Sequence, residues 1–223
     1  MRAHCRWLIG SAAAALVVYA LLWVGFVQDW TWLAAIDDGA LEPAHRFGQD
    51  RPGWVTAWDI YCTVLGPGAF RLVVLVIVIV ALVRRQVRLA MFLVISVELS
   101  GLVTEVAKSV ADRPRPDTAM VGALSTSFPS GHALGLMVAV AALLTVVLPM
   151  VRPSRRGRLI ALGAVIVVTI GIGRVVLNVH HPSDVVAGWA LGYAYFVVCV
   201  LLLPPVVPVT DSDGIPEALD SAR

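Results

Sequence analysis

Charge is scarce in this chain, and lysine is almost absent. Only 14% of its 223 residues are charged, against 59% hydrophobic, too little charge to cover a soluble surface. Lys108 is the sole lysine among arginines, so its place within a polar cluster stands out. Cys5, Cys62 and Cys199 are odd in number and widely separated. That excludes a disulfide framework and metal-ligand spacing, and leaves them as expected small packing residues. No other metal-ligand cluster is visible, so neither a metal nor a cofactor is expected. A formal net charge of +2 gives no reason to expect nucleic acid as a partner.

Long apolar runs are what the chain does have, and they predict an all-α, polytopic membrane bundle of six transmembrane helices. The first, Trp7 to Val27, follows Arg2 and Arg6. It is long for a signal-peptide core and no small-x-small site closes it, so a retained span is expected. Gln28 to Gly53 is acidic, with room for a short amphipathic helix, and Trp30, Trp32, Trp54 and Trp58 flank it as interfacial anchors. The second span, Phe70 to Val83, is short. Either residues before Gly66-Pro67-Gly68 contribute to it or it extends to Arg88. The remaining spans are expected at Leu89–Val110, His132–Val151, Leu159–Gly173 and Asp184–Leu203. Residues 1–205 read as one domain, and the Pro-rich acidic stretch 206–223 as a disordered tail.

Arginines orient the bundle. Arg2 and Arg6, then Arg84, Arg85 and Arg88, then Arg152, Arg155, Arg156 and Arg158 share one side of six spans. The positive-inside rule makes that side cytoplasmic, with both termini there, in a plasma or inner membrane.

Three polar clusters then fall together on the opposite, extracytoplasmic face. They are Lys108 with Arg115-Pro116, Pro129-Ser130-Gly131-His132, and Arg174 with His180 and Asp184. A phosphoryl group in transit needs fixed cations and backbone donors around its equatorial oxygens. Arg115 and Arg174 offer planar forks and Lys108 a point charge. Ser130-Gly131 at a helix start offers free N–H groups and a hydroxyl. Asp184, in the first turn after Pro182, can accept from an upstream imidazole and leave its other nitrogen free to attack. Spacing alone does not choose between His180 and His181. Glu98 and Glu105 are intramembrane carboxylates seven residues apart, and Glu105 is expected to pair with Lys108 or another site cation, with Glu98 buried deeper.

These clusters resemble the signature of the type 2 phosphatidic acid phosphatase superfamily over about Lys108 to Gly192 (motif core 108–192), most specifically from Gly173 to Gly188. The resemblance selects His180, separated from Arg174 by five residues, as the nucleophile supported by Asp184. It implies His132 as the acid that protonates the leaving oxygen and then activates water. It implies Lys108, Arg115, Ser130, Gly131 and Arg174 as the holders of the phosphoryl oxygens, with no metal. Gly173 stands where that family usually has Ser, removing one polar contact but no catalytic group.

The resemblance implies a lipid phosphate substrate met in the membrane, with polyprenyl diphosphate ahead of phosphatidylglycerophosphate or phosphatidic acid. A lipid phosphotransferase and a non-enzymatic lipid-phosphate binding or transport protein are the competing readings. The complete set of nucleophile, acid and orienting carboxylate argues for an enzyme.

Overall fold

Proline starts the helices and glycine lets them touch. Pro52, Pro67, Pro153 and Pro182 each stand at the first position of a helix, where a preset φ helps and the missing N–H costs nothing. A computed structural model of the chain describes residues 2–123 and 125–205. The described residues form α1 (Arg2–Val27), α2 (Thr31–Gly48), α3 (Pro52–Val64), α4 (Pro67–Val83), α5 (Val87–Leu93), α6 (Ser100–Ala111), α7 (Gly131–Val147), α8 (Pro153–Val176) and α9 (Pro182–Leu202). A π-helical turn, Val94–Glu98, joins α5 to α6. The tail expected over 206–223 lies outside the described residues.

Six helical stretches are long and apolar enough to cross a membrane, as expected. Five agree with the apolar runs to within a few residues, apart from an earlier start at Pro153 for the fifth. The second resolves the open choice. Residues before Gly66 contribute, because Pro52–Val83 forms one stretch built from α3 and α4. It does not continue to Arg88; α4 stops at Val83 and Arg85 turns into the left-handed region at φ 57°. Outward-facing side chains such as Leu72, Val76, Leu102, Val106 and Val110 are exposed, as lipid-facing residues must be when no aqueous surface surrounds them.

The central helix is α7, whose Ala133, Leu134, Leu136, Val138, Ala139 and Ala142 are fully buried. It packs against α4, α6, α8 and α9. Close approach to α9 depends on Gly188 and Gly192, one turn apart. A Cβ on Gly188 would sit 2.6 Å from Ser130 O, and one on Gly192 2.8 Å from Leu134 O. Small residues at this spacing let helix backbones meet. The starts of α7 and α9 are thereby joined, and the Ser130 N–H donates to Asp184 O at 2.9 Å.

The N-termini of α7 and α9 and the C-termini of α6 and α8 gather at one end of the bundle. Loops carrying Arg84, Arg85 and Arg88, and Arg152, Arg155, Arg156 and Arg158, lie at the other. The amphipathic segment expected after the first span is the full helix α2, packed on α8 and α9. Asn178, left-handed at φ 54°, donates to Leu41 O at 3.1 Å and Thr118 Oγ1 at 2.8 Å, tying the α8–α9 turn to α2. Asn tolerates that conformation better than most residues.

Candidate active site

Each polar cluster ends a helix, and the packing just described brings those ends around one cavity of about 410 Å³. Lys108, Arg115, Gly131, His132, Arg174 and His180 all line it. Lys108, in the last turn of α6, is buried and donates from Nζ to Thr126 O. Arg115 donates from Nε to Ser125 O and from Nη1 to Val179 O, both at 2.6 Å. Two carbonyls thus aim its guanidinium at the cavity. Arg174, in the last turn of α8, is buried with Nε unpartnered.

Ser130 is the N-cap residue of α7, yet its hydroxyl caps nothing. Its Oγ is fully sheltered and without a partner. A serine at this position normally bonds the second or third helical N–H, so here both the hydroxyl and the first-turn N–H groups stay open to an anion. Gly131 lies close against α6: a Cβ there would lie 3.1 Å from Thr104 Cγ2.

The two histidines differ in where each ring goes. His180 is only 1% exposed and lines the cavity, with Nε2 3.3 Å from Arg115 Nη1. Its Nδ1 lies 3.5 Å from Asp184 Oδ2, a long contact of the kind that tightens when a site is filled. His181 instead closes the start of α9. Its backbone N–H donates to Asp184 Oδ2 at 2.8 Å and its Nδ1 is 3.2 Å away from the same atom. Burial pushes the His180 imidazole down to about 4, with Arg115 and Arg174 adding to the fall and Asp184 opposing it. The ring is therefore neutral near pH 7, with a lone pair available on the cavity side.

Asp184 is fully buried, and the groups behind it were not legible as site residues. Arg113 donates from Nη1 to Asp184 Oδ1 and to Ser183 Oγ, each at 2.7 Å, and from Nη2 to Asp37 Oδ2 at 2.9 Å. Asp37 also accepts from the Ser183 N–H at 2.9 Å and from Ser183 Oγ at 2.6 Å. Ser127 Oγ donates to Asp184 Oδ2. One arginine between two buried carboxylates fixes the start of α9 against α2. A signal for Asp37 did exist, since it sits four residues from Leu33 and from Leu41 on the buried face of an amphipathic helix.

Glu105 lines the cavity but stays exposed, and the expected ion pair with Lys108 does not form. Lys108 turns to the Thr126 carbonyl instead. Glu98 lies apart from the cavity, half-buried with Oε1 unpartnered. Arg71, on α4, does line the cavity. It breaks an apolar run, and the reasoning that singled out Glu98 and Glu105 as intramembrane charges applies to it equally.

A six-span helical bundle carrying a cationic, histidine-bearing cavity at one end is an integral membrane protein. The PAP2 superfamily matches residues 89–207, more than half of the chain, and the chain belongs to that superfamily. Phosphatidylglycerophosphatase B of Bacillus subtilis (strain 168) is 38% identical over 99 residues, which are 43% of this chain and 48% of that protein. The chain thus spans about half the length of the curated relative it matches. A solved structure, the transmembrane PAP2 type phosphatidylglycerolphosphate phosphatase from Bacillus subtilis, shares the fold with a TM-score of 0.75 at 21% identity, covering 86% of this chain and 95% of that one.

Proposed function

We propose that this protein is a membrane phosphatase that releases inorganic phosphate from a lipid phosphate through a phosphohistidine. The observation that carries this reading is a single cavity lined by Lys108, Arg115, Arg174, His132 and His180, with Asp184 behind the His180 ring. Three cations and the open first turn of α7 hold the phosphoryl oxygens. His180 Nε2 attacks phosphorus; an N–P bond forms as the P–O bond to the lipid breaks. His132 gives its proton to the departing oxygen, and the lipid leaves as an alcohol. His132 then takes a proton from water, whose oxygen bonds phosphorus as the N–P bond breaks. Inorganic phosphate departs and both rings return to their starting state. Asp184 holds the Nδ1 proton throughout and so fixes the tautomer.

The arginine-rich end of the bundle faces the cytoplasm in this reading, which puts the cavity at the extracytoplasmic surface of a plasma or inner membrane. The names of the Bacillus relatives change the expected order of substrates. Phosphatidylglycerophosphate comes first, ahead of polyprenyl diphosphate and phosphatidic acid.

The test is phosphate release by purified protein from these three lipids, with a chelator present and no added acceptor alcohol. Release from at least one supports the reading. No release from any of the three overturns hydrolysis.

A further inference from the structure

One cation in the cavity is left over once the phosphoryl group is held. Arg71 projects from the first turns of α4 into the same cavity as Lys108 and His180. Its Nε is sheltered and unpartnered, and its one side-chain hydrogen bond is long, Nη2 to Ser100 Oγ at 3.4 Å. Among the described residues it forms no ion pair. The guanidinium lies against Gly101, where a Cβ would come 3.0 Å from Nη2. A cation placed at membrane depth without a partner is costly; Glu105 lines the same cavity but pairs with neither Arg71 nor Lys108, so the guanidinium is open to an anion from outside the protein.

Position says which anion. Gly101, Thr104, Glu105 and Lys108 follow one another along the cavity-facing side of α6. Gly101 is seven residues from Lys108, about 10 Å along the axis, and nearer the middle of the span Val87–Ala111. Arg71 therefore lies on the lipid side of the phosphoryl cradle, where the part of the substrate between the scissile phosphate and the acyl chains must pass.

The geometry points to Arg71 as a second anion subsite, selecting lipids whose terminal phosphomonoester is joined through a short polyol to a phosphodiester. This rests on the phosphatase reading above and adds the residue that would distinguish its first-ranked substrate from the other two. In a diphosphate the two phosphorus atoms share one oxygen, so the second stays among Lys108, Arg115 and Arg174. In phosphatidic acid there is no second phosphate. A three-carbon bridge carries the second phosphate down the cavity to the Arg71 fork, which suits two phosphate oxygens.

The kinetic test compares wild-type, Arg71→Gln and Arg71→Lys proteins on phosphatidylglycerophosphate and phosphatidic acid with the same acyl chains. The ratio of the two kcat/KM values should fall about 10- to 100-fold in Arg71→Gln, as expected for a lost charged hydrogen bond. The fall should come mainly through KM and recover in part in Arg71→Lys. An unchanged ratio overturns the subsite, as does an equal loss on polyprenyl diphosphate.

A second measurement needs neither a folded Arg71 variant nor any turnover. Binding of propane-1,3-diol bisphosphate and of propyl phosphate to otherwise intact His180→Ala protein is followed by calorimetry. The bisphosphate should bind at least about tenfold more tightly, and equal affinities overturn the proposal. Tighter bisphosphate binding with no lipid hydrolysed by the wild type would sink the phosphatase reading and leave the subsite standing.

Discussion

Two polar regions stand back to back across the start of α9, and they treat the same residue types in opposite ways. On the α2 side, Arg113 is held by two carboxylates and a hydroxyl, its guanidinium also over the Phe26 ring at 4.9 Å. On the cavity side, Arg174 Nε and Ser130 Oγ have no partner. Neighbours in sequence are divided between the two regions: Arg113 braces while Arg115 faces the cavity, and His181 caps α9 while His180 faces the cavity. Paired polar groups give rigidity, whereas sheltered unpaired ones cost stability and are kept ready for a ligand.

The two histidines give the sharpest way to break that comparison. His180→Ala should lower kcat by about 10⁴-fold or more, as removal of a nucleophile does, while His181→Ala should stay within about tenfold of wild type. Phosphate-release kinetics on matched preparations decide it. Comparable losses in both would mean that the division between the regions is not functional.

Next in size is the division between the arginines. Arg113→Ala strands two buried carboxylates and should cost about 3–5 kcal/mol of stability, read as a fall in unfolding temperature in detergent. Arg115→Ala should lose activity while melting close to wild type, since it removes a cation from among cations. Reversal of that pattern would exchange the roles of the two side chains.

Gly173 tests the contact between α8 and α3. A Cβ there would lie 2.5 Å from Cys62 Sγ and 2.9 Å from the Trp58 ring. The residue standing where the family usually has Ser is thus matched to a tight contact with α3. Gly173→Ser should be destabilised by about 1–3 kcal/mol through overpacking, and Trp58→Ala in the same chain should recover part of it. A fully stable Gly173→Ser would show that α3 yields easily.

The smallest effect is in pH. His180 is depressed to about 4, so its neutral, nucleophilic form persists as pH falls and is lost only on passing about 4. From pH 7 to pH 5 this group should remove only about 10% of kcat/KM, where an imidazole at its ordinary value would lose about 25-fold. The profile is corrected for ionisation of the substrate phosphate near pH 6. An acid limb centred near 6.5 would show that the ring is not held neutral by burial.

Much of this was legible along the chain because the membrane imposes it. A segment crossing the hydrocarbon core must be long, apolar and helical, so the spans can be read from Trp7–Val27 or Leu89–Val110 without any partner. Lys108, Ser130 and Arg174 stood out as polar residues at the ends of such runs. The limits of the second span were less clear, because Gly66-Pro67-Gly68 interrupts the apolar run between α3 and α4. Helical spacing led us to expect Glu105 to pair with Lys108 or another site cation; among the described residues it pairs with none, and Lys108 donates to the Thr126 carbonyl instead.

By itself, the sequence determined the membrane class, the six crossings and the three clusters, because each is a local property of composition and spacing. Only the tertiary structure decided which histidine faces the cavity, that Asp37 and Arg113 brace Asp184, and that Arg71 shares the space with Lys108. Those facts join residues up to 146 positions apart. They depend on how closely α7 and α9 can approach and on where α2 lies, which no local pattern encodes.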